Sequence, residues 1–207
     1  SFVMNTDLNS PSNRAAVLTQ CGYFTIKKVT DRRVRVGLPN LELRHAWAYL
    51  LSNRIRDESG IPDELTDSLE DACQALHKKD FSADELTVLF NSVYKVLNSS
   101  NRIVNEYAAC DTPALYCLGS GYDVRTEVPE KGGRADLTFE FMDRRIIIEM
   151  KCVREGELAE RKLSEAESQV LAHDCGCYIP VKPLRRFAMV FSVPLQKIVL
   201  AKEIDAG

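Results

Sequence analysis

The chain has 207 residues, 45% of them hydrophobic and 28% charged, with a formal net charge of −3. That is enough apolar sequence for a buried core and too much for a disordered chain, and the near-neutral charge argues against a surface coated in nucleic acid while leaving room for a local basic cleft. No apolar run approaches the roughly 18 residues of a membrane span and no signal-peptide pattern is visible; seven irregularly spaced cysteines fit free thiols in a reducing compartment, so a cytoplasmic location is expected.

Residues 1–12 are polar and loose in character. Arg14 to Cys21 predicts a short helix behind the start signal Ser10-Pro11-Ser12. Tyr23–Val29 and Val34–Leu38 predict a hairpin, and Asn40 caps a helix with an apolar stripe of Leu43, Trp47, Leu50 and Leu51. This helix–hairpin–helix, winged-helix-like in its order, needs a neighbour to bury its faces. Residues 57–62 contain Gly and Pro and read as a linker. A helix marked by Leu65, Leu69, Ala72, Cys73 and Leu76 follows. The capping box Ser82-Ala83-Asp84-Glu85 then opens another with Leu86, Leu89, Phe90, Val93 and Leu97 on one side, so the two predict a helical hairpin. After Asn101 a helix turns Ile103, Tyr107, Cys110, Ala114 and Cys117 inward, and Pro113 is expected to interrupt it. Tyr122–Val128 is the first strand of the following domain; a helix from about Glu155 to His173 and strands at Arg185–Val193 and Ile198–Ala201 complete it.

The chemistry concentrates between Gly132 and Lys151. Leu137, Phe139 and Phe141 alternate with Asp136, Thr138 and Glu140, and the apolar run Ile146-Ile147-Ile148 ends in Glu149 and Lys151. A hairpin centred on Asp143 and Arg144 sets Asp136 opposite Lys151 and Thr138 opposite Glu149, which puts Asp136, Glu149 and Lys151 on one face. Two carboxylates this close call for a cation between them; hard oxygen ligands suit Mg²⁺ better than zinc, and a lysine beside them suits a phosphate oxygen or a water.

Gly133-Arg134-Ala135-Asp136, followed by Glu149-Met150-Lys151, resembles the PD-(D/E)XK nuclease superfamily, with Ala135 where the family name has its proline. Ala166-Glu167-Ser168-Gln169-Val170 is similar to the A-x-x-Q-[IV] helix of one bacterial branch, and Glu106 and Gly121 stand at similar spacings upstream. The resemblance covers roughly residues 101–203 and implies a restriction-endonuclease-like mixed sheet flanked by helices. It implies Mg²⁺- or Mn²⁺-dependent cleavage of nucleic acid, DNA before RNA. Asp136, Glu149 and the Met150 carbonyl would bind the metal, Glu106 would help, Lys151 would act on the attacking water, and Gln169 would assist. Gly22-Tyr23-Phe24-Thr25-Ile26 and Pro39-Asn40-Leu41-Glu42-Leu43-Arg44 look like the tail of the ATPase-like region that precedes such domains in many bacterial proteins. The chain carries no phosphate-binding loop motif, so a fragment of a longer protein or a lost ATPase part is expected. The implied division is an ATPase-like tail over 1–57, a helical connector over 58–100 and a nuclease-like domain over 101–207.

Other residues carry less. His173-Asp174-Cys175-Gly176-Cys177 has too few ligands at finger-like spacing and no partner C-x-x-C, so it reads as a helix-ending turn. Glu127 closes its strand as a rim carboxylate, with the metal as the alternative. Arg144, Arg145, Arg154, Arg161, Lys162, Lys182, Arg185 and Arg186 are concentrated after residue 130, where a phosphate-binding rim would need them. Two alternatives to a DNA nuclease stand beside it: a non-catalytic interaction or regulatory module on the same fold, and a toxin-type nuclease.

Overall fold

The computed structural model describes residues 11–30, 33–59, 69, 71–97, 102–130, 133–172 and 182–204. They divide into two compact units, one up to Trp47 and one from Ala48 onward. In the first, helix α1 (Pro11–Gln20) precedes an antiparallel hairpin of β1 (Thr25–Thr30) and β2 (Arg33–Gly37), and helix α2 (Leu41–Ser59) begins. Asn40 caps α2, its Oδ1 accepting from the Leu43 N–H at 3.0 Å. Residues 57–59, expected to open a linker, belong to the end of α2.

In the second unit residues 71–74 are helical, and a 3₁₀ turn at Ala75–His77 closes that segment. Helix α3 (Ala83–Leu97) starts from the capping box: the Glu85 N–H donates to Ser82 Oγ at 3.1 Å and the Ser82 N–H to Glu85 Oε2 at 2.8 Å. Helix α4 (Glu106–Gly119) is capped by Asn105, which accepts from the Ala108 N–H at 2.8 Å. Pro113 does not interrupt it. Proline removes the donor that would have served the Ala109 carbonyl one turn back, and the buried Tyr94 hydroxyl of α3 donates to that oxygen at 2.7 Å instead. The helix therefore starts later and runs further than the sequence implies, which leaves Ile103 buried ahead of it and Tyr107 exposed rather than inward.

Strands β3 (Asp123–Glu130), β4 (Gly133–Glu140), β5 (Arg145–Val153), β6 (Leu184–Ser192) and β7 (Lys197–Ile204) form one sheet in that order. All neighbours are antiparallel except β5 and β6, which run parallel and are joined through helix α5 (Ala159–Ala172). A parallel pair needs such a crossover. The continuous apolar run of β5 follows from its central place. Ile146, Ile148 and Met150 face the large core shared with α3 and α4, while Ile147 faces the opposite side with Ala135 and Leu184. On that opposite side α5 packs Leu163 and Ala166 against Ala188 and Ile204. α5 starts at Ala159 rather than near Glu155. Residues 154–157 form a tight turn, in which the Arg154 N–H donates to Glu157 Oε2 at 2.7 Å and Gly156 takes a φ of 82°. The His173–Cys177 motif lies outside the described residues.

Candidate active site

The β4–β5 hairpin has a different register from the one the sequence suggests. Leu137 pairs with Ile148, Thr138 with Ile147 and Glu140 with Arg145. The turn is centred on Met142 and Asp143 and closed by the Phe141 N–H to the Arg144 carbonyl at 2.9 Å. Arg144 cannot sit in the turn because its guanidinium is anchored elsewhere. It donates to the carbonyls of Leu76 and Lys78 and lies 4.3 Å from the Phe141 ring centroid. The slip is two residues, and pairing ends before Asp136 would meet Glu149. Ala135 packs with Ile147, and Asp136 turns toward the Met150 N–H and the cavity lined by Glu106 and Cys110, so the fork rather than strand parity brings it to Glu149 and Lys151.

Pairing stops at Leu137 and Ile148, and beyond that point the two strands fork. The backbone donors that β5 leaves free in the fork are taken by carboxylates. Asp136 Oδ2 accepts from the Met150 N–H at 2.8 Å, and Glu106 Oε1, from the first turn of α4, accepts from the Cys152 N–H at 3.2 Å. Glu149 has 0% exposure. Its Oε1 receives Lys151 Nζ at 3.0 Å, while its Oε2 is buried with no hydrogen-bond partner. Lys151 Nζ also lies 3.8 Å from Glu106 Oε2. Glu106, Asp136, Glu149 and Lys151 thus come together, and the backbone of Met150 is part of the same fork.

Burial, then the neighbouring Asp136 carboxylate, pushes the Glu149 carboxyl up to about 8, against the pull of Lys151. Asp136 is also raised, chiefly by burial, although the Met150 N–H and Lys151 oppose it. Burial works to lower Lys151, but Glu149, Glu106 and Asp136 outweigh it, and the ammonium is held above its ordinary value.

A cavity of about 400 Å³ opens beside the fork. Glu106, Glu127 and Asp136 line its acidic side, Arg154, Glu157 and Lys162 another part, and Tyr107, Cys110 and Cys152 also border it. Glu127 lies between the pairs Thr126–Leu137 and Val128–Ala135, opposite Asp136, with a left-handed φ of 53° that a non-glycine residue adopts only at a cost of roughly 1–3 kcal/mol. Its carboxylate is held by Arg134 at 3.0 Å. Gln169 is half-buried on α5 and is not among the residues lining the cavity.

The expected basic rim is divided. Arg154 and Lys162 border the cavity, Lys162 already paired with Glu165 at 2.9 Å, and four of the other cations are tied up away from it. Arg145 pairs with Glu140 at 2.8 Å, Arg185 with Glu203 at 2.6 Å, Lys182 donates to the Phe141 carbonyl at 2.6 Å, and Arg144 is anchored as described. Arg144, Arg145 and Lys182 gather at the turn end of the hairpin, roughly 13 Å along the strand from Asp136. The sequence singled out neither Tyr107 nor the two thiols as site residues. Their only signal is position: Tyr107 follows Glu106, Cys152 follows Lys151, and Cys110 lies one turn from Glu106.

A mixed sheet of five strands with helices on both faces, carrying an acidic pair and a lysine where its central hairpin forks, is a restriction-endonuclease-like domain. Residues 108–191 match the family model of the PD-(D/E)XK nuclease superfamily. The matched span includes Asp136, Glu149, Lys151 and Gln169; Glu106 lies just before it. No curated protein matches the chain. No described helix is long and apolar enough to cross a membrane.

Proposed function

We propose that the domain is a nuclease that hydrolyses phosphodiester bonds with Mg²⁺ or Mn²⁺, DNA being the first expected substrate. The observation that carries this reading is Glu149, a fully buried carboxylate facing Asp136 with one oxygen that meets no donor. Lys151 compensates one charge here, but ionising both buried carboxyls side by side is costly, and a divalent cation would relieve that cost. Asp136 and Glu149 supply the hard oxygen ligands that Mg²⁺ and Mn²⁺ prefer. The N–H and C=O of one strand residue point to the same side, so the Met150 carbonyl shares the direction of the N–H that meets Asp136. Glu106 adds a further oxygen close by. When bound, the ion acts as a Lewis acid toward a phosphoryl oxygen. Lys151, fixed on Glu149, donates to the attacking water and offsets the charge that grows on the phosphorane. The role of Gln169 rests on the resemblance alone. The same reading takes residues 1–57 as the tail of an ATPase-like region and the cytoplasm as the place of action.

One observation favours the other reading, a nuclease fold kept as an interaction module. Among the described residues no three His, Cys, Asp or Glu side chains form a group that could hold a metal ion. Incubation with plasmid and single-stranded DNA in Mg²⁺ or Mn²⁺ separates the two. The nuclease cuts, and Lys151→Ala, with its circular dichroism unchanged, loses about 10²-fold or more of the rate. A parent protein that cuts nothing and shows no thermal shift with either metal is the interaction module.

A further inference from the structure

We infer that the cavity receives a single unpaired nucleotide of a nucleic-acid strand, with its base against Tyr107 and its phosphate toward Arg154 and Lys162. This rests on the nuclease reading for its substrate class, but on different residues.

Tyr107 borders the cavity and yet is 59% exposed. It lies in the first turn of α4, one turn before Asp111, whose carboxyl it helps to hold down against the upward push of burial. An exposed aromatic side chain at the edge of a cavity is a stacking platform, and every base has a face to stack.

The cationic part comes from the β5–α5 turn and the start of α5. Lys162 Nζ is held 2.9 Å from Glu165 and 3.9 Å from Glu157, so its position is set before any ligand arrives. Arg154 is exposed and forms no ion pair among the described residues, which leaves its guanidinium available. Arginine and lysine are the usual partners of phosphate oxygens. The volume of about 400 Å³ falls at the small end of the roughly 300–1,000 Å³ range of ligand pockets. That suits one nucleotide and not a base pair. A base inside a duplex reaches Tyr107 only by leaving its stack, at a cost of a few kcal/mol, whereas an unpaired base has nothing to break.

The test is binding, measured by fluorescence anisotropy without divalent cation, so that no strand is cut. The probes are oligothymidylate and oligouridylate of about twelve nucleotides and a DNA duplex of equal length. One or both single strands should bind about tenfold or more tightly than the duplex. Tyr107→Ala should cost about tenfold in single-strand affinity and leave duplex affinity within about twofold, and Tyr107→Phe should keep most of it. Arg154→Gln and Lys162→Gln should weaken both. Equal binding of single strand and duplex by a folded protein, or a Tyr107→Ala variant that binds like the parent, overturns the proposal. Single-strand preference without cleavage in Mg²⁺ or Mn²⁺ leaves this inference standing and removes the nuclease reading. Cleavage without strand preference does the reverse.

Discussion

Glu149 sits at the end of a run of isoleucines with no exposed surface, facing a second carboxylate, and its proton responds to both. An unfolded glutamate titrates near 4.3, whereas the folded carboxyl is pushed up to about 8 by burial and Asp136. The folded state therefore holds the proton more tightly than the unfolded one. Its contribution to stability is complete below about pH 4 and is lost as pH rises through the window up to about 8. Without divalent cation, the melting temperature should fall between pH 5 and pH 8, and Glu149→Gln should flatten that fall because the amide carries no proton to lose. Thermal melts in a chelator across that range check it. A parent protein whose melting temperature is level from pH 5 to pH 8 would show that Glu149 is ionised in the folded state. At pH above about 8, where Glu149 has lost its proton, Asp136→Asn should raise the metal-free melting temperature, since it removes one of the two repelling charges.

The helix that delivers Glu106 depends on one hydroxyl. Pro113 leaves the Ala109 carbonyl without its helical donor in a fully buried place, and Tyr94 supplies the substitute. Tyr94→Phe should cost about 1–3 kcal/mol in urea unfolding, the price of a buried acceptor left unmet. In a Pro113→Ala background the backbone N–H returns, and the same Tyr94→Phe change should cost measurably less, with a coupling of about 1 kcal/mol. Equal costs in both backgrounds would mean that the hydroxyl does not serve that carbonyl. This pair also shows what was legible in the sequence. Local signals read well: the capping box at Ser82–Glu85, the Asn40 cap and the alternation in β4 are contained in a few adjacent residues and appear as expected. That Asp136 would come near Glu149 and Lys151 was suggested by the hairpin, but the fork that turns Asp136 onto the Met150 N–H beyond Leu137 and Ile148 has no signal in the strand period. The register itself was not legible either, since it is set by Arg144 reaching carbonyls some 66 to 68 positions away. The continuity of α4 through Pro113 depends likewise on a tyrosine from another helix. The basic rim misled because a cation's partner is invisible in one dimension: Arg145 and Arg185 are neutralised by Glu140 and Glu203, whereas Arg154 forms no ion pair among the described residues.

The chain as a whole carries a net charge of −3, and the cavity itself is lined by Glu106, Glu127, Asp136 and Glu157 against Arg154 and Lys162. A polyanionic strand gains nothing from the long-range field of such a molecule. Attraction has to come from the few cations placed to meet phosphates, which are Arg154 and Lys162 with Lys151 behind them at the fork. For single strands the slope of log K against log salt is about −0.7 per neutralised phosphate, so three contacts give a slope near −2. Titrations of oligothymidylate between about 50 and 200 mM salt should return that value, and the Arg154→Gln and Lys162→Gln variants should each make it shallower by about 0.7. A slope steeper than about −4 would require five or more neutralised phosphates, more than the cavity's cations can reach, and would place the bound strand on another surface of the protein.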